Sequence, residues 1–231
     1  MKGIAAILAL VLVMCMAAPT AGAWGDDGEK ALSRSGQRLH VFSDAEMDFQ
    51  ILRGFGADTG GGGTIGEILM AAGDIVDGNP VSWSKAFRSL AERLENDGEA
   101  RLGLGHRVSA RESFLRAASY YRAAEYYGDP LSADTARWGM KCRETFLKGM
   151  ELSQWKVEAV FIPSGTDGDF YPGYMITACG RPGERRKTLI AQSGFDGTAE
   201  EMYFGIGKAA LERGYNVLLF EGPGQAGKRR F

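Results

Sequence analysis

The chain has 231 residues, of which 45% are hydrophobic and 24% are charged, a composition typical of a globular protein with one or two domains. The formal net charge of −2 gives no electrostatic case for binding nucleic acid or an anionic membrane surface. Glycine is common, at 33 residues, and its clusters mark the predicted loops.

The first 23 residues have the pattern of a signal peptide. Lys2 precedes an unbroken apolar run over residues 4–18, and the small residues at 21–23 fit a cleavage site. The run is shorter than the ~20 residues that cross a bilayer, so we expect no stable membrane insertion after cleavage. The sequence therefore predicts an exported protein, periplasmic or secreted, that begins near Trp24. A buried N-terminal helix is the alternative.

A helical period follows over about residues 44–149. The glycine-rich run near 56–64 predicts a flexible linker, with an anion-binding loop as the alternative. Thr64 and Glu67 then form a capping box for the next helix. The further predicted helices run from Pro80 to Gly98, from Ser109 (whose capping box includes Glu112) to Tyr127, and from Ser132 to Leu147.

Four tyrosines lie in the predicted helix that begins at Ser109. Most recur at the spacing of buried helical positions, so we expect them to pack in the core. Adjacent tyrosines point in different directions, which allows one of each pair to face a pocket. Tyr121 is the candidate for lining a substrate-binding pocket.

The period becomes extended after residue 154. The short connection between the first two strands predicts an antiparallel hairpin. A helix capped by Thr198 and ended by Gly214 joins the last two strands, which predicts a parallel βαβ unit. The predicted strands cover residues 155–163, 173–178, 188–192 and 215–220.

The glycine turn from Gly222 to Gly227 fits G-x-G-x-x-G and most of a P-loop. Both patterns need a helix directly after the turn, because the N-terminus of that helix binds the phosphate. Only four residues follow, and Arg229 stands where a P-loop has the hydroxyl that binds the metal ion. A tight turn after a buried strand is therefore favoured, with a nucleotide-binding domain as an alternative.

Cysteine and histidine usage does not indicate a metal site. The only histidines are His40 and His106, and no Cys or His spacing matches a metal-binding motif. Cys142 and Cys179 remain after signal-peptide cleavage, and export would permit a disulfide between them. Two free, buried thiols are the favoured interpretation.

Three segments resemble one protein family: SARESFLRAASYYRAAEYY, SGFDGTAEEMYF and ALERGYNVLLFEGPGQ. They are similar to α/β-hydrolases of the 2,6-dihydroxypseudooxynicotine hydrolase type, which are also similar to fungal polyketide-shortening hydrolases. The resemblance implies an α/β fold, with a helical cap domain over residues 24–150 and part of an α/β-hydrolase core over residues 151–231. It also implies a small-molecule substrate, a serine nucleophile and no cofactor.

The resemblance places half of an oxyanion hole in the loop 193–197, after the third strand. In this fold that loop donates a backbone N–H to the negative charge that develops on the substrate oxygen. Phe195 is the first choice for the donor and Asp196 the second. The alternative is that the loop only caps the helix that follows Thr198.

The chain departs from the family after its fourth strand. The family's nucleophile motif, G-x-S-x-G, follows a further helix and strand, and no such motif occurs in the 231 residues. The family pattern G-P-G-Q-G is replaced by GPGQAGKRRF. We therefore expect a C-terminally truncated hydrolase fragment, inactive alone, from an enzyme that cleaves an ester, amide or carbon–carbon bond. A non-enzymatic protein that binds a ligand or partner is the alternative.

Overall fold

The computed structural model describes residues 38–165, 168–180 and 184–231, and the predicted signal peptide lies outside them. Within these residues, five α-helices precede the sheet, in the segment where the sequence predicts a helical period and about four helices. A 3₁₀ turn at Asp58–Gly60 joins the first two. The helices are α1 (Ala45–Gly56), α2 (Ile65–Ala72), α3 (Pro80–Gly103), α4 (Arg107–Tyr126) and α5 (Ala133–Glu151).

The ends of α3 and α4 differ from the prediction. Gly98 does not end α3, which continues to Gly103. An added Cβ at Gly98 would lie 2.7 Å from the ring of Phe114 in α4, so glycine here permits close helix packing. The predicted capping box at Ser109 is also wrong, because α4 begins at Arg107 and Ser109 lies inside its first turn.

The glycine-rich run near 56–64 is a packed loop, and the predicted flexible linker is wrong. An added Cβ at Gly60 would lie 2.2 Å from the carbonyl oxygen of Phe204. At Gly62 a Cβ would lie 2.6 Å from the ring of the same residue. These glycines therefore allow a close approach that fixes the connection between α1 and α2 against the second half of the chain. Thr64 caps α2 as predicted, accepting from the Glu67 N–H at 3.3 Å.

Replacing Gly60 with alanine should destabilise the fold by about 3 kcal/mol, because the methyl group would overlap backbone atoms that cannot rotate away. Gly56→Ala is the matched control, since an added Cβ there meets no atom within 4 Å. Urea denaturation should give a clearly lower midpoint for G60A than for G56A. Equal midpoints for the two variants would show that the loop does not pack on Phe204.

The sheet has the strand order β1-β2-β4-β3 among the described residues. β1 and β2 form the predicted antiparallel hairpin, and β3 and β4 form the predicted parallel pair. β2 begins earlier than predicted, because Phe170 pairs with Pro163 of β1. The strands are β1 (Lys156–Pro163), β2 (Phe170–Thr177), β3 (Thr188–Gln192) and β4 (Asn216–Phe220).

The crossover from β3 to β4 is helical in three consecutive parts. These are α6 (Ala199–Met202), a π-helical stretch (Tyr203–Gly207) and α7 (Lys208–Glu212). Thr198 caps the start as predicted, by accepting from the Glu201 N–H at 3.2 Å. Gly214, with φ of +81°, ends the segment as predicted.

One apolar cluster joins the helices to the sheet. The ring of Phe146 in α5 lies 4.9 Å from the Tyr174 ring in β2 and 5.3 Å from the Tyr203 ring in the crossover. All three side chains are buried. The helical segment therefore packs directly on the sheet, and the two parts share a core.

β3 is an edge strand, since in the described part of the chain it pairs only with β4. The side chain of Ile190 on this strand is 61% exposed. The open edge offers backbone N–H and C=O groups to a further strand.

The two cysteines described are free thiols. Cys142 is buried in α5, as the favoured interpretation has it. Cys179 is exposed, which corrects the expectation that both are buried. Its thiol donates to the Gln154 carbonyl, at 2.9 Å.

Candidate active site

A cleft of about 280 Å³ opens between the helices and the loop that follows β3. Phe195 and Asp196 line it from that loop, and Gly224 lines it from the turn after β4. The two residues predicted to donate an N–H group therefore line the same cleft. The opposite wall comes from α4 and α5 and includes Arg122, Tyr126 and Thr135.

The loop 193–197 reaches the cleft through Phe195 and Asp196. The Phe195 side chain is 84% exposed, so it adds little to the packing. The Phe195 N–H has no acceptor among the described residues, whereas the Gly197 N–H donates to the Gly194 carbonyl at 3.2 Å. A free N–H beside the start of a helix, where the helix dipole is positive, is suited to stabilise a developing negative charge.

Gln225 binds this loop from the core side and is 3% exposed. Its Nε2 donates to the Gly194 carbonyl at 2.6 Å, and to the carbonyl and hydroxyl oxygens of Ser193 at 3.2 and 2.7 Å. Its Oε1 accepts from the Gly222 N–H at 2.6 Å and from Gln192 Nε2 at 3.2 Å. One side chain therefore connects the turn after β4 to the loop after β3.

Two arginines bind the loop from the helical side. Arg53 of α1 forms ion pairs with Asp196, at 2.8 Å, and with Glu201. Arg122 of α4 donates to the Asp196 carbonyl at 3.0 Å and lies 3.4 Å from Glu201. Burial raises the pKa of Glu201, but the charges of Arg122 and Arg53 outweigh it and hold that pKa below its usual range. The loop is thus fixed between the helices and the crossover.

Glu221 lies beneath the site, directly after β4, and is 2% exposed. Its carboxylate accepts from the Ala199 N–H at 2.9 Å and from the Gly227 N–H at 2.5 Å. Burial and the charge of Glu200 raise the pKa of Glu221 to about 7, against the lowering effects of Arg230 and the two N–H groups. A buried carboxyl group therefore titrates near neutral pH beside the starts of two helices.

The raised pKa of Glu221 predicts a stability that falls as pH rises. The folded protein binds more protons than the unfolded chain between about pH 4.5 and 7, so the free energy of unfolding should decrease by about 3 kcal/mol across this window. Above pH 7 this contribution levels off. Glu221→Gln should flatten the dependence, while Glu212→Gln, at an exposed position, should leave it intact. Urea denaturation at several pH values measures the free energy of unfolding. An equal dependence of that free energy on pH in E221Q and the parent chain would contradict the raised pKa of Glu221.

Tyr121 lies apart from the predicted N–H donors. It is buried, and its hydroxyl donates to Glu95 of α3 at 2.7 Å. Burial and the charge of Glu95 raise the pKa of this phenol. The structure therefore brings Phe195 and Asp196 together on the cleft but does not add Tyr121 to its lining, and substrate binding by Tyr121 stays a prediction.

Two N–H groups of the glycine turn after β4 are bonded to side chains of the chain itself. The Gly222 N–H donates to Gln225, and the Gly227 N–H donates to Glu221. Gly224 has φ of +78°, as in the tight turn that the sequence favours. A four-residue helix, α8 (Ala226–Arg229), follows, which the sequence does not predict. The nucleotide-binding alternative therefore has a helix after the turn, but the N–H groups of Gly222 and Gly227 are already bonded and not available to a phosphate.

Neither a metal centre nor a membrane span is found in the part of the chain that the structure describes. No group of three or more His, Cys, Asp and Glu residues there is arranged to hold a metal ion. None of its helices combines the length and the apolar character that a bilayer crossing requires.

Comparison with known proteins gives several related hydrolases. The chain is 34% identical over 191 residues to the alpha/beta hydrolase xenA of Xenoacremonium sinensis, covering 81% of this chain and 44% of that protein. It is also 34% identical over 192 residues to the 20-hydroxy-prefusarin hydrolase FUS2 of Gibberella moniliformis, covering 80% and 45%. The crystal structure of the 2,6-dihydroxy-pseudo-oxynicotine hydrolase superposes with a TM-score of 0.58 and 25% identity, over 74% of this chain and 46% of that one.

This chain is related in sequence and in fold to the α/β-hydrolases. It spans about 45% of the length of the curated relatives it matches. No family model matches it. The helical segment followed by a four-stranded mixed sheet agrees with the fold class that the sequence predicts.

The sequence alone does not reveal the residues that hold the loop 193–197 in place. Gln225 belongs to the motif GPGQ, which by itself assigns no role to this side chain. Nothing in the sequence indicates that Arg53 and Arg122 bind this loop, because isolated arginines on predicted helices are usually solvated. The motif alone was a usable clue, since a polar residue next to a tight glycine turn often bonds to backbone groups nearby.

Proposed function

We propose that this chain supplies the helical cap and the first part of the core of a serine hydrolase. The complete enzyme would attack a carbonyl carbon and cleave an ester, an amide or a carbon–carbon bond next to that carbonyl. The observation that carries the proposal is the Phe195 N–H, which lies beside the cleft without an acceptor among the described residues. The similarity of the chain to α/β-hydrolases supports it.

In the proposed mechanism a serine hydroxyl adds to the substrate carbonyl, and negative charge develops on the carbonyl oxygen. The Phe195 N–H donates to that oxygen, and preorganised donors of this kind lower the barrier because they need no reorientation during the reaction. The helices across the cleft exclude water from the bound substrate. The substrate is a small molecule with a carbonyl group, and the hydrolases that match this chain support that class.

The serine, aspartate and histidine of the proposed enzyme are not supplied by a recognisable motif here, since no G-x-S-x-G occurs in the 231 residues. We propose that sequence beyond Phe231 encodes them. Reading the nucleotide sequence past codon 231 in all three frames should reveal a G-x-S-x-G within about 40 codons, after one further helix and strand. Its absence from every frame would contradict the proposal and favour a non-enzymatic binding protein.

We also propose that the protein is exported, on the basis of the pattern in residues 1–23. N-terminal sequencing of the protein recovered from its native host should give a chain that starts near Trp24. A mature chain that retains Met1 would contradict export by this signal.

A further inference from the structure

The orientation of the Phe195 N–H is set by the peptide group to which it belongs. That group contains the Gly194 carbonyl and the Phe195 N–H, and the structure has no cis peptide bond in its described residues. In a trans peptide the C=O and N–H bonds point in opposite directions in one plane. The Gly194 carbonyl accepts from Gln225 Nε2 at 2.6 Å, so the Phe195 N–H points away from Gln225.

We propose that Gln225 is the positioning residue of the oxyanion hole: its side-chain amide holds the Gly194 carbonyl on the core side and thereby directs the Phe195 N–H into the cleft. The role as an oxyanion hole rests on the proposed function, whereas the control of N–H direction rests on the contacts alone. Gln225 does not touch the substrate and acts only through the peptide group between Gly194 and Phe195.

The chemistry of the position requires a side-chain amide. The Nε2 group faces acceptors, the carbonyls of Ser193 and Gly194, and the Oε1 atom faces a donor, the Gly222 N–H. A carboxylate would place negative charge against two carbonyl oxygens, and an apolar side chain would leave buried groups without partners. Since Gln225 is 3% exposed, water has little access to replace these contacts.

Arg53 and Arg122 also hold the loop 193–197, but they bind it at Asp196. Arg53 binds the Asp196 carboxylate, and Arg122 binds the Asp196 carbonyl. These contacts fix where the loop lies, but neither involves the peptide group between Gly194 and Phe195. Gly197 also donates to the Gly194 carbonyl, at the longer distance of 3.2 Å. Gln225 is therefore the side chain that fixes this peptide plane.

Residual dipolar couplings test the proposal directly, because each ¹⁵N–¹H coupling reports the direction of one N–H bond. In the 231-residue chain, Gln225→Met should shift the Phe195 coupling well beyond the scatter of the couplings in α3 and α4, which should stay unchanged. Ser193→Ala is the matched control, since it removes one Gln225 contact and leaves both carbonyl contacts, so its Phe195 coupling should equal that of the parent. An unchanged Phe195 coupling in Q225M would overturn the proposal.

Two further measurements keep the test decisive if Q225M does not fold. Gln225→Glu keeps the size of the side chain and the acceptor for Gly222, and it should shift the Phe195 coupling in the same way. In the unaltered chain, the Gln225 side-chain amide protons should exchange with solvent about tenfold more slowly than those of an exposed glutamine, and equally fast exchange would overturn the proposal.

None of these readouts depends on enzymatic activity. If Q225M shifts the Phe195 coupling but the complete enzyme shows no hydrolysis, the proposed function is rejected and the positioning role of Gln225 is kept. Active enzyme with unchanged couplings would reject the positioning role alone.

Discussion

Replacing Phe195 with proline should lower kcat for ester hydrolysis by about 10²–10³-fold, with KM nearly unchanged, in the polypeptide that contains both this chain and its serine nucleophile. Proline has no N–H group, so the substitution removes the proposed donor while the cleft stays in place. The loss falls on kcat because the hydrogen bond strengthens only as charge develops on the substrate oxygen.

Phe195→Ala is the control for that experiment. It retains the N–H and removes a ring that is 84% exposed, so we expect activity within a few-fold of the parent. Equal melting temperatures for the two variants would confirm that both are folded. A kcat for F195P within about tenfold of that for F195A would assign the charge stabilisation to another group, with Asp196 the next to test.

Replacing Arg230 with methionine should destabilise the protein by about 3–5 kcal/mol. The Arg230 side chain is 2% exposed, and it makes two hydrogen bonds to Glu125, at 3.0 and 2.6 Å, and one to Glu200 at 3.3 Å. Without it, two carboxylates of α4 and α6 remain buried without their cation. Gly139 of α5 leaves space for the ion pair between Arg230 and Glu125, since an added Cβ there would lie 2.3 Å from Glu125.

Arg229→Met is the matched control, because Arg229 is the exposed residue next to Arg230 and is the last residue of α8. We expect it to change the free energy of unfolding by less than about 0.5 kcal/mol. Adding Glu125→Gln to R230M should restore part of the lost stability, since it removes one of the unpaired charges. Urea denaturation measures all three variants, and an R230M value within about 1 kcal/mol of the parent would show that the end of the chain is not integrated into the core.

The features that the sequence predicts correctly depend on neighbours in the chain. Thr64 and Thr198 cap their helices through N–H groups three residues away. Gly214 ends the crossover through its own backbone conformation, and the hairpin of β1 and β2 follows from a short connection. Local patterns therefore predicted the element types and most of the strand pairing.

The features that the sequence predicts wrongly depend on distant contacts. Gly98 suggests a helix end, but its lack of a side chain instead allows Phe114 of the next helix to pack closely against α3. Gly60 suggests a flexible loop, but its lack of a side chain instead allows close packing against the backbone of Phe204, far along the chain. No propensity or periodicity contains this information, because each glycine is selected by what lies against it in the folded protein.

The candidate site was predicted in part for the same reason. The resemblance to α/β-hydrolases led to the loop with Phe195 and Asp196, but not to the groups that hold it. Arg53 and Glu201 are 148 residues apart in sequence, and Gln225 lies 31 residues from Gly194. Such contacts become visible only when the fold brings the elements together.

Hydrolysis of a p-nitrophenyl ester should distinguish the 231-residue chain from the polypeptide that continues past Phe231. We expect no turnover above background by the 231-residue chain, and turnover by the longer polypeptide that a serine-directed inhibitor abolishes. Inhibitor-sensitive turnover by the 231-residue chain alone, or no turnover by the longer polypeptide, would contradict this expectation.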